Sequence, residues 1–275
     1  MKVNLIHTGD CRRVLRTEVA PQSVDLAYAD PPYNASASKP LNLRNNKTGG
    51  AFFMVDEDWD KFDSAAYRAF TLNWMESVAR VLKPAASLFI SCNMHSLGDV
   101  LHAGQNLGLR LNNIIVWRKS NPMPNITKRV FTHATEYVCW FVNGSGWIFN
   151  YYDLKKLNPE LAKDGSTKQM QDCITLPSVQ GKERLRGDDR RALHPTQKPE
   201  ALLAILITAA SHPGHIVLDP FMGSGTTAIV ARRLERQWIG IEQNAKFVRA
   251  AYARLNMKER AKRDDTRKLH AVAAG

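Results

Sequence analysis

Ile216-Val217-Leu218-Asp219-Pro220-Phe221-Met222-Gly223-Ser224-Gly225-Thr226-Thr227-Ala228 reads as a short apolar strand, a glycine turn and the opening of a helix. Gly223, Gly225 and Ala228 have the spacing of the nucleotide-binding fingerprint, whose small residues allow a tight turn and close approach of the backbone to a ligand. Glu242 closes the next apolar run, 19 positions after Gly223. A carboxylate there can accept hydrogen bonds from both ribose hydroxyls of an adenosine-containing cofactor. No Lys-Ser or Lys-Thr follows the glycines, which disfavours a phosphate-binding P-loop. A plain strand-to-helix turn is the simpler alternative.

Outward from this stretch, short β-branched runs alternate with longer helical patterns, the signature of a parallel sheet built from βα units. Strands are predicted at Val3–His7, Val24–Ala29, Ser87–Cys92, Asn113–Trp117, Tyr137–Val142, Ile216–Leu218 and Trp238–Ile241. Helices are predicted at Ser64–Leu82, Ser96–Leu107, Pro199–Ala210, Thr226–Glu235 and Ala245–Lys258. Pro199 suits a first helical position, where its missing N–H costs nothing. Gly104 and Gly108 weaken the second helix. The expectation is an α/β fold with a mostly parallel seven-stranded sheet and helices on both faces. Two stretches break the rhythm: polar Asn34–Asp63, and Asn150–Leu193 with Arg184, Arg186, Arg190 and Arg191. Irregular segments of this length inside a domain are usually functional or disordered.

At 275 residues the chain can bury a sizeable core without staples. Cys11, Cys92, Cys139 and Cys173 show no CxxC pairing, so neither a zinc site nor a disulfide framework is suggested. The first residues lack a signal peptide's apolar stretch, and no run reaches about 18 apolar residues. A cytoplasmic protein with reduced thiols is expected. The net charge of +12 and pI near 9.7 favour a polyanionic partner through counterion release. Part of that excess lies in the run Lys258 to Lys268, which a solvated helix end would also explain.

Asp30-Pro31-Pro32-Tyr33 follows the apolar run Val24–Ala29, where a parallel strand would present its carboxyl end to a ligand. Two prolines stiffen the chain and remove two N–H donors, leaving carbonyl acceptors beside the Asp30 carboxylate. Such a patch suits a group with two N–H donors, such as an amino group on a base, and Tyr33 offers a flat face for stacking. An ordinary loop opener is the alternative for Asp-Pro-Pro.

This tetrad resembles the catalytic motif of amino-group DNA methyltransferases. Phe221-Met222-Gly223-Ser224-Gly225-Thr226 is similar to their methionine-binding loop, and His194-Pro195-Thr196-Gln197-Lys198-Pro199 to the segment that contacts the cofactor's carboxylate end. The order, tetrad before glycine loop, is that of the β-class, and the resemblance runs from about Val3 to Tyr252. It implies a Rossmann-like S-adenosylmethionine-dependent fold with circularly permuted motifs. S-adenosylmethionine is then the cofactor, with no metal. Asp30, Pro31, Pro32 and Tyr33 would be catalytic. Asp10 and Cys11 would meet the cofactor's adenine end, although Asp10 could simply cap a helix at Cys11-Arg12-Arg13-Val14-Leu15. Glu242 would hold the ribose. Asp219, Phe221, Gly223, Ser224, Gly225 and Thr226 would surround the methionine portion, with Thr196 and Lys198 at its charged end, and Asp30 would be among the cofactor-binding residues as well as catalytic.

The resemblance further implies double-stranded DNA as substrate, flipping of the target base, and transfer without a covalent intermediate. It associates an initial Asp with adenine N6 and an initial Ser with cytosine N4, so adenine is preferred and cytosine N4 stays the alternative. Cytosine-C5 chemistry would need a cysteine after a proline, and none of the four cysteines has that neighbour. His133 and Glu136 resemble a segment lining the base pocket, and the basic loop Trp117–Pro124 could touch phosphate. Residues 1–149 and 194–275 are expected to form the catalytic and cofactor-binding domain, with 150–193 as a target-recognition insert. A homodimer and a cognate restriction nuclease in a restriction-modification pair are expectations of the same kind. Two rival functions fit the residues less well. Relatives acting on RNA or protein glutamine usually start the tetrad with Asn and place the glycine loop first. A non-catalytic nucleotide-binding module would not explain the tetrad.

Overall fold

The computed structural model describes residues 1–33, 63–125, 128–186 and 196–256. Nearly all of Asn34–Asp63, together with Arg190, Arg191, His194, Pro195 and the Lys258 to Lys268 run, lies outside the described residues. In chain order the strands are β1 (Leu5–Thr8), β2 (Val24–Ala29), β3 (Leu82–Cys92), β4 (Arg110–Lys119), β5 (Thr135–Val142), β6 (Cys173–Leu176), β7 (Ile216–Asp219) and β8 (Gln237–Glu242). The helices are α1 (Cys11–Thr17), α2 (Ser64–Val81), α3 (Leu97–Asn106), α4 (Tyr151–Leu157), α5 (Glu200–Ala210), α6 (Thr226–Arg233) and α7 (245–256).

The strands form one sheet in the order β1-β8-β7-β2-β3-β5-β4-β6. Among the described strands of this sheet, only the pairings of β5 with β3 and β4 are antiparallel. The mostly parallel α/β sheet expected from the sequence is therefore present, with one strand more than the seven predicted. The addition is β6, which pairs in parallel with β4 at the sheet edge. Its four residues bury only Ile174, too short and one-sided a run to stand out from the irregular stretch around it. Within the same stretch, α4 was likewise not predicted.

Strands buried on both faces read as near-continuous apolar runs. Along β2, Leu26 and Tyr28 pack with α5 and α6 on one face, while Ala27 and Ala29 pack with α1 and α2 on the other. Trp238 and Ile239 of β8 divide the same way. Helix α3 forms despite Gly104, because the Phe141 ring occupies the space a side chain would need: a Cβ there would lie 2.3 Å from it. Pro199 sits one step earlier than expected, as an extended N-cap with helix starting at Glu200. The carboxylate of Glu183 caps that first N–H at 2.7 Å, fixing the start one residue on.

Sheet order positions the functional residues. β2 and β7 are parallel neighbours, with Leu26 beside Val217 and Ala27 beside Leu218. The tetrad after β2 and the glycine turn after β7 therefore emerge side by side at the sheet's carboxyl edge, where open α/β sheets bind ligands. β1 lies against β8, with Thr8 opposite Glu242, which brings Asp10 to the same edge.

Candidate active site

The glycine turn is held open by its own neighbours. Asp219, buried at the end of β7, accepts the Phe221 N–H at 2.9 Å and the Thr227 hydroxyl. Glu242 accepts the Gly223 N–H at 2.8 Å through one oxygen and the Asn244 N–H at 2.8 Å through the other. Gly225 is left-handed at φ +81°, and a Cβ there would stand 2.8 Å from the Cβ of Ala251 in α7. From the same helix, buried Arg254 reaches Thr226 Oγ1 at 2.9 Å and the Ser224 carbonyl at 3.2 Å. Arg254 was not anticipated from the sequence. Its only signal there is a place in an amphipathic helix, which fits a surface arginine equally well. Gly225→Ala combines backbone strain with a clash and should cost about 1–3 kcal/mol. Thermal melting should show a fall of several degrees, with cofactor affinity lowered in parallel.

Burial raises the Asp219 carboxyl to about 7, with the Thr227 hydroxyl and Phe221 N–H opposing it. A carboxyl whose folded pKa lies above its unfolded value favours the folded state most at low pH. That contribution is lost as pH rises from the ordinary carboxylate range through about 7. Asp219→Asn keeps an acceptor and removes the titration. The stability difference between parent and variant should therefore move in the variant's favour as pH rises across that window, read by melts at a series of pH values. A difference independent of pH would contradict it.

The tetrad is held as firmly. Pro31 is buried, and the Pro32 carbonyl accepts the Tyr67 hydroxyl of α2 at 2.9 Å. The Lys198 ammonium, on a side chain only 6 % exposed, lies 2.7 Å from both Asp30 oxygens. Tyr33 donates its hydroxyl to Asp30 at 2.7 Å and reaches Glu136 at 3.3 Å. Lys198 also lies 3.5 Å from Glu136, which pairs at 2.6 Å with Lys119 at the end of β4. Two carboxylates thus share one buried ammonium, with a second ammonium on the outer flank. Burial raises the Asp30 carboxyl above its ordinary value, and Lys198 counters without reversing this. Burial also pushes Glu136 upward, but Lys198 and Lys119 together outweigh it and hold that group below its usual range. Burial alone would lower Lys198, yet Asp30 and Glu136 raise it, so it is charged at neutral pH.

One cleft joins the two motifs. Its lining includes Tyr28, Asp30, Lys198, Asp219, Phe221, Gly223, Ser224 and Thr226, together with Thr196 and Gln197. Sequence reading missed Tyr28, Gln197 and Thr227, because a buried tyrosine and two side-chain amide or hydroxyl groups carry no pattern of their own. Beyond the cleft, Asp10 caps α1 by accepting the Arg12 N–H at 2.8 Å, and also accepts the Arg12 guanidinium. The helix-capping reading of Asp10 is therefore realised. Asp10 also neighbours Glu242, because the Gly9 N–H donates to the Glu242 carbonyl at 2.9 Å. Arg12 lies over Phe70, which in turn touches Phe221, so this end of the edge is aromatic as well as charged. His133 is exposed and makes no hydrogen bond or ion pair with the described residues of this group, whereas Glu136 is part of it.

The donor set fits an adenosine-linked amino acid. Glu242 presents a carboxylate of the kind that can accept from ribose hydroxyls, and the turn closing on it donates the Gly223 N–H to it. Lys198 carries three N–H donors, which here face both Asp30 oxygens and Glu136, so a ligand carboxylate would compete with Glu136 for the most distant of these contacts. Among the described residues, no group of three or more His, Cys, Asp or Glu is placed to hold a metal ion. No helix among them is long and apolar enough to cross a membrane.

A parallel-sheet edge that gathers a glycine loop, a carboxylate closing the next strand and an Asp-Pro-Pro-Tyr tetrad, with Asp30 and the glycine loop in one cleft, marks an S-adenosylmethionine-dependent methyltransferase acting on an amino group. The chain belongs to the N6/N4 DNA methylase family, whose model matches residues 24–253. It is 37% identical over 256 residues to the Type II methyltransferase M.HinfI of Haemophilus influenzae, covering 92% of this chain and 68% of that protein. With the Type II methyltransferase M2.DpnII of Streptococcus pneumoniae it shares 38% identity over 259 residues, covering 92% and 90%. Among solved structures, the M1.HpyAVI complex with S-adenosylmethionine superposes with TM-score 0.65 at 26% identity, covering 92% of this chain and 98% of that one. The PvuII cytosine-N4-specific DNA methyltransferase has TM-score 0.67 at 18% identity, covering 90% and 84%, a likeness of fold.

Proposed function

We propose that this DNA methyltransferase modifies the exocyclic N6 of adenine at a specific sequence in duplex DNA, after the base has left the helix, by direct in-line transfer. The observation that carries the reading is the placement of the Asp30 carboxylate in one cleft with the glycine loop of β7. When bound, S-adenosylmethionine supplies an electrophilic methyl group on sulfonium. An exocyclic amine is a poor nucleophile because its lone pair is delocalised into the ring. Asp30 accepts the amine hydrogens with the Pro31 carbonyl and favours a tetrahedral nitrogen whose lone pair faces the methyl carbon. Only an ionised carboxylate does this well, and burial works against ionisation. Lys198 supplies the compensating charge and orients both Asp30 oxygens. Tyr33 has Lys198 5.1 Å from its ring centroid, so an extruded base would stack on the opposite face. Asp30 is also the nearest acceptor for the proton leaving the amine. Glu242 holds the ribose, and Thr196 and Lys198 the charged end.

Adenine is preferred to cytosine N4 because the tetrad begins with Asp30, the choice associated with adenine in enzymes of this type. Residues 150–193 serve as target-recognition segment in this reading: β6 extends the active edge, and exposed Arg184 and Lys182 stand next to it in sequence. Base-edge contacts from such side chains supply sequence readout. A cytoplasmic location belongs to the same reading, supported by four free thiols. A homodimer and a cognate restriction nuclease stay with the resemblance that suggested them. The test is to incubate unmethylated DNA of mixed sequence with protein and S-adenosylmethionine, digest to nucleosides and quantify by mass spectrometry. N6-methyladenine is the expected product. N4-methylcytosine would keep the chemistry and overturn the choice of base, and the absence of both despite cofactor binding would refute the substrate.

A further inference from the structure

Between β4 and β5 the chain crosses the same edge of the sheet as the cleft. Near the tip of this loop Phe131 is 96% exposed, with Val130 beside it at 62%. Single exposed apolar residues need no explanation, but two at a loop tip directly after the exposed cations Lys128 and Arg129 form a defined apolar-basic pair. The tip is tied rather than slack. The Asn125 side-chain amide donates to the Val130 carbonyl, and the Lys128 N–H donates to the Asn125 carbonyl at 3.4 Å. At its base, the Lys119 N–H donates to the Ala134 carbonyl at 2.7 Å. Two residues further on, Glu136 touches Tyr33 and Lys198. Phe131 is five residues from Glu136, so it lies within about 17 Å of extended chain from the catalytic group.

We propose that Phe131, backed by Val130, is the wedge that enters the base stack where the target nucleotide leaves it, while Lys128 and Arg129 bind the adjoining phosphates. The inference rests on the base-flipping reading above. A vacated position in a duplex exposes the faces of two neighbouring bases, an apolar π-surface that an aromatic ring fills. Side chains of this kind are inserted between base steps by proteins that unstack DNA. The occupant is duplex DNA rather than a protein, because the apolar tip is flanked by cations on a chain of net charge +12.

The sites this enzyme modifies would first be located by sequencing methylated DNA. One site is then placed in two oligonucleotide duplexes, fully paired or with the target opposite an abasic position. Phe131→Ala should lower kcat/KM on the paired duplex by about tenfold or more and stay within about twofold of the parent on the abasic one, where opening costs little. Phe131→Trp should behave as the parent on both. An equal loss on both duplexes, or no loss on either, would overturn the wedge. So would a parent dimer that Phe131→Ala dissociates in sedimentation velocity, which would make the tip a contact with a second copy. If 2-aminopurine at the target position shows no fluorescence gain on binding the parent protein, base flipping itself fails, whatever Phe131 does.

Discussion

Asp30→Asn is expected to bind S-adenosylmethionine and DNA while methylating DNA about a hundred- to a thousandfold more slowly than the parent, the size of effect seen when one preorganised electrostatic contact to a reacting group is removed. The asparagine keeps the shape of the side chain. It presents an N–H₂ in place of one of the two oxygens that the Lys198 ammonium now approaches at 2.7 Å. It can accept at one position only, so the nitrogen of the base is no longer drawn towards a tetrahedral geometry. Lys198 would keep Glu136 at 3.5 Å as its partner, so the fold should be weakened rather than lost. Burst kinetics with labelled cofactor would separate chemistry from binding, and a melt would report folding. A folded variant within tenfold of the parent would remove Asp30 from the chemistry.

Lys198→Met produces the opposite imbalance. Two carboxylates, Asp30 and Glu136, would stay around the Tyr33 hydroxyl with only Lys119 nearby, on the Glu136 side. Removing one partner of a buried ion pair typically costs about 3–5 kcal/mol. Lys198 titrates above its ordinary value, so its pairing stabilises the fold throughout the neutral range and is lost as pH climbs from the ordinary lysine range through that raised value. The loss in the variant should therefore be full at neutral pH. Catalysis should shift as well. Burial already raises Asp30 and Lys198 is the main force opposing it, so the acid limb of kcat/KM must move to higher pH in the variant. Lys198→Arg, which keeps the charge, should restore most of the profile. An unmoved acid limb in a folded Lys198→Met protein would show that the ammonium does not control Asp30. Cofactor affinity should fall in the same variant, which isothermal titration would measure separately.

The α/β architecture was legible in the sequence because parallel strands buried on both faces are continuous apolar runs. Val24–Ala29 matches its predicted bounds for that reason. The glycine turn was legible because Gly225 must adopt a left-handed conformation against Ala251, a demand that leaves a residue-level trace. β6 left no such trace: an edge strand of four residues buries one side chain and is defined by the hydrogen bonds β4 offers it. Lys198 was read as a ligand for the cofactor's carboxylate, and its position in the segment could say no more. Its pairing with Asp30 required the fold, since the two are 168 residues apart.

The sequence by itself determined the strand-and-helix alternation, the glycine turn, the carboxylate closing β8 and the proline-stiffened tetrad, all of which are set by local stereochemistry and burial. Tertiary structure decided which of these meet. Placing β7 beside β2 joined the tetrad to the glycine loop. Crossing β5 back against β3 delivered Glu136 to Asp30, and α7 delivered Arg254 to the turn. The physical reason is that a charge is held, shifted or shared by groups within a few ångströms in space, and separation along the chain does not encode that distance.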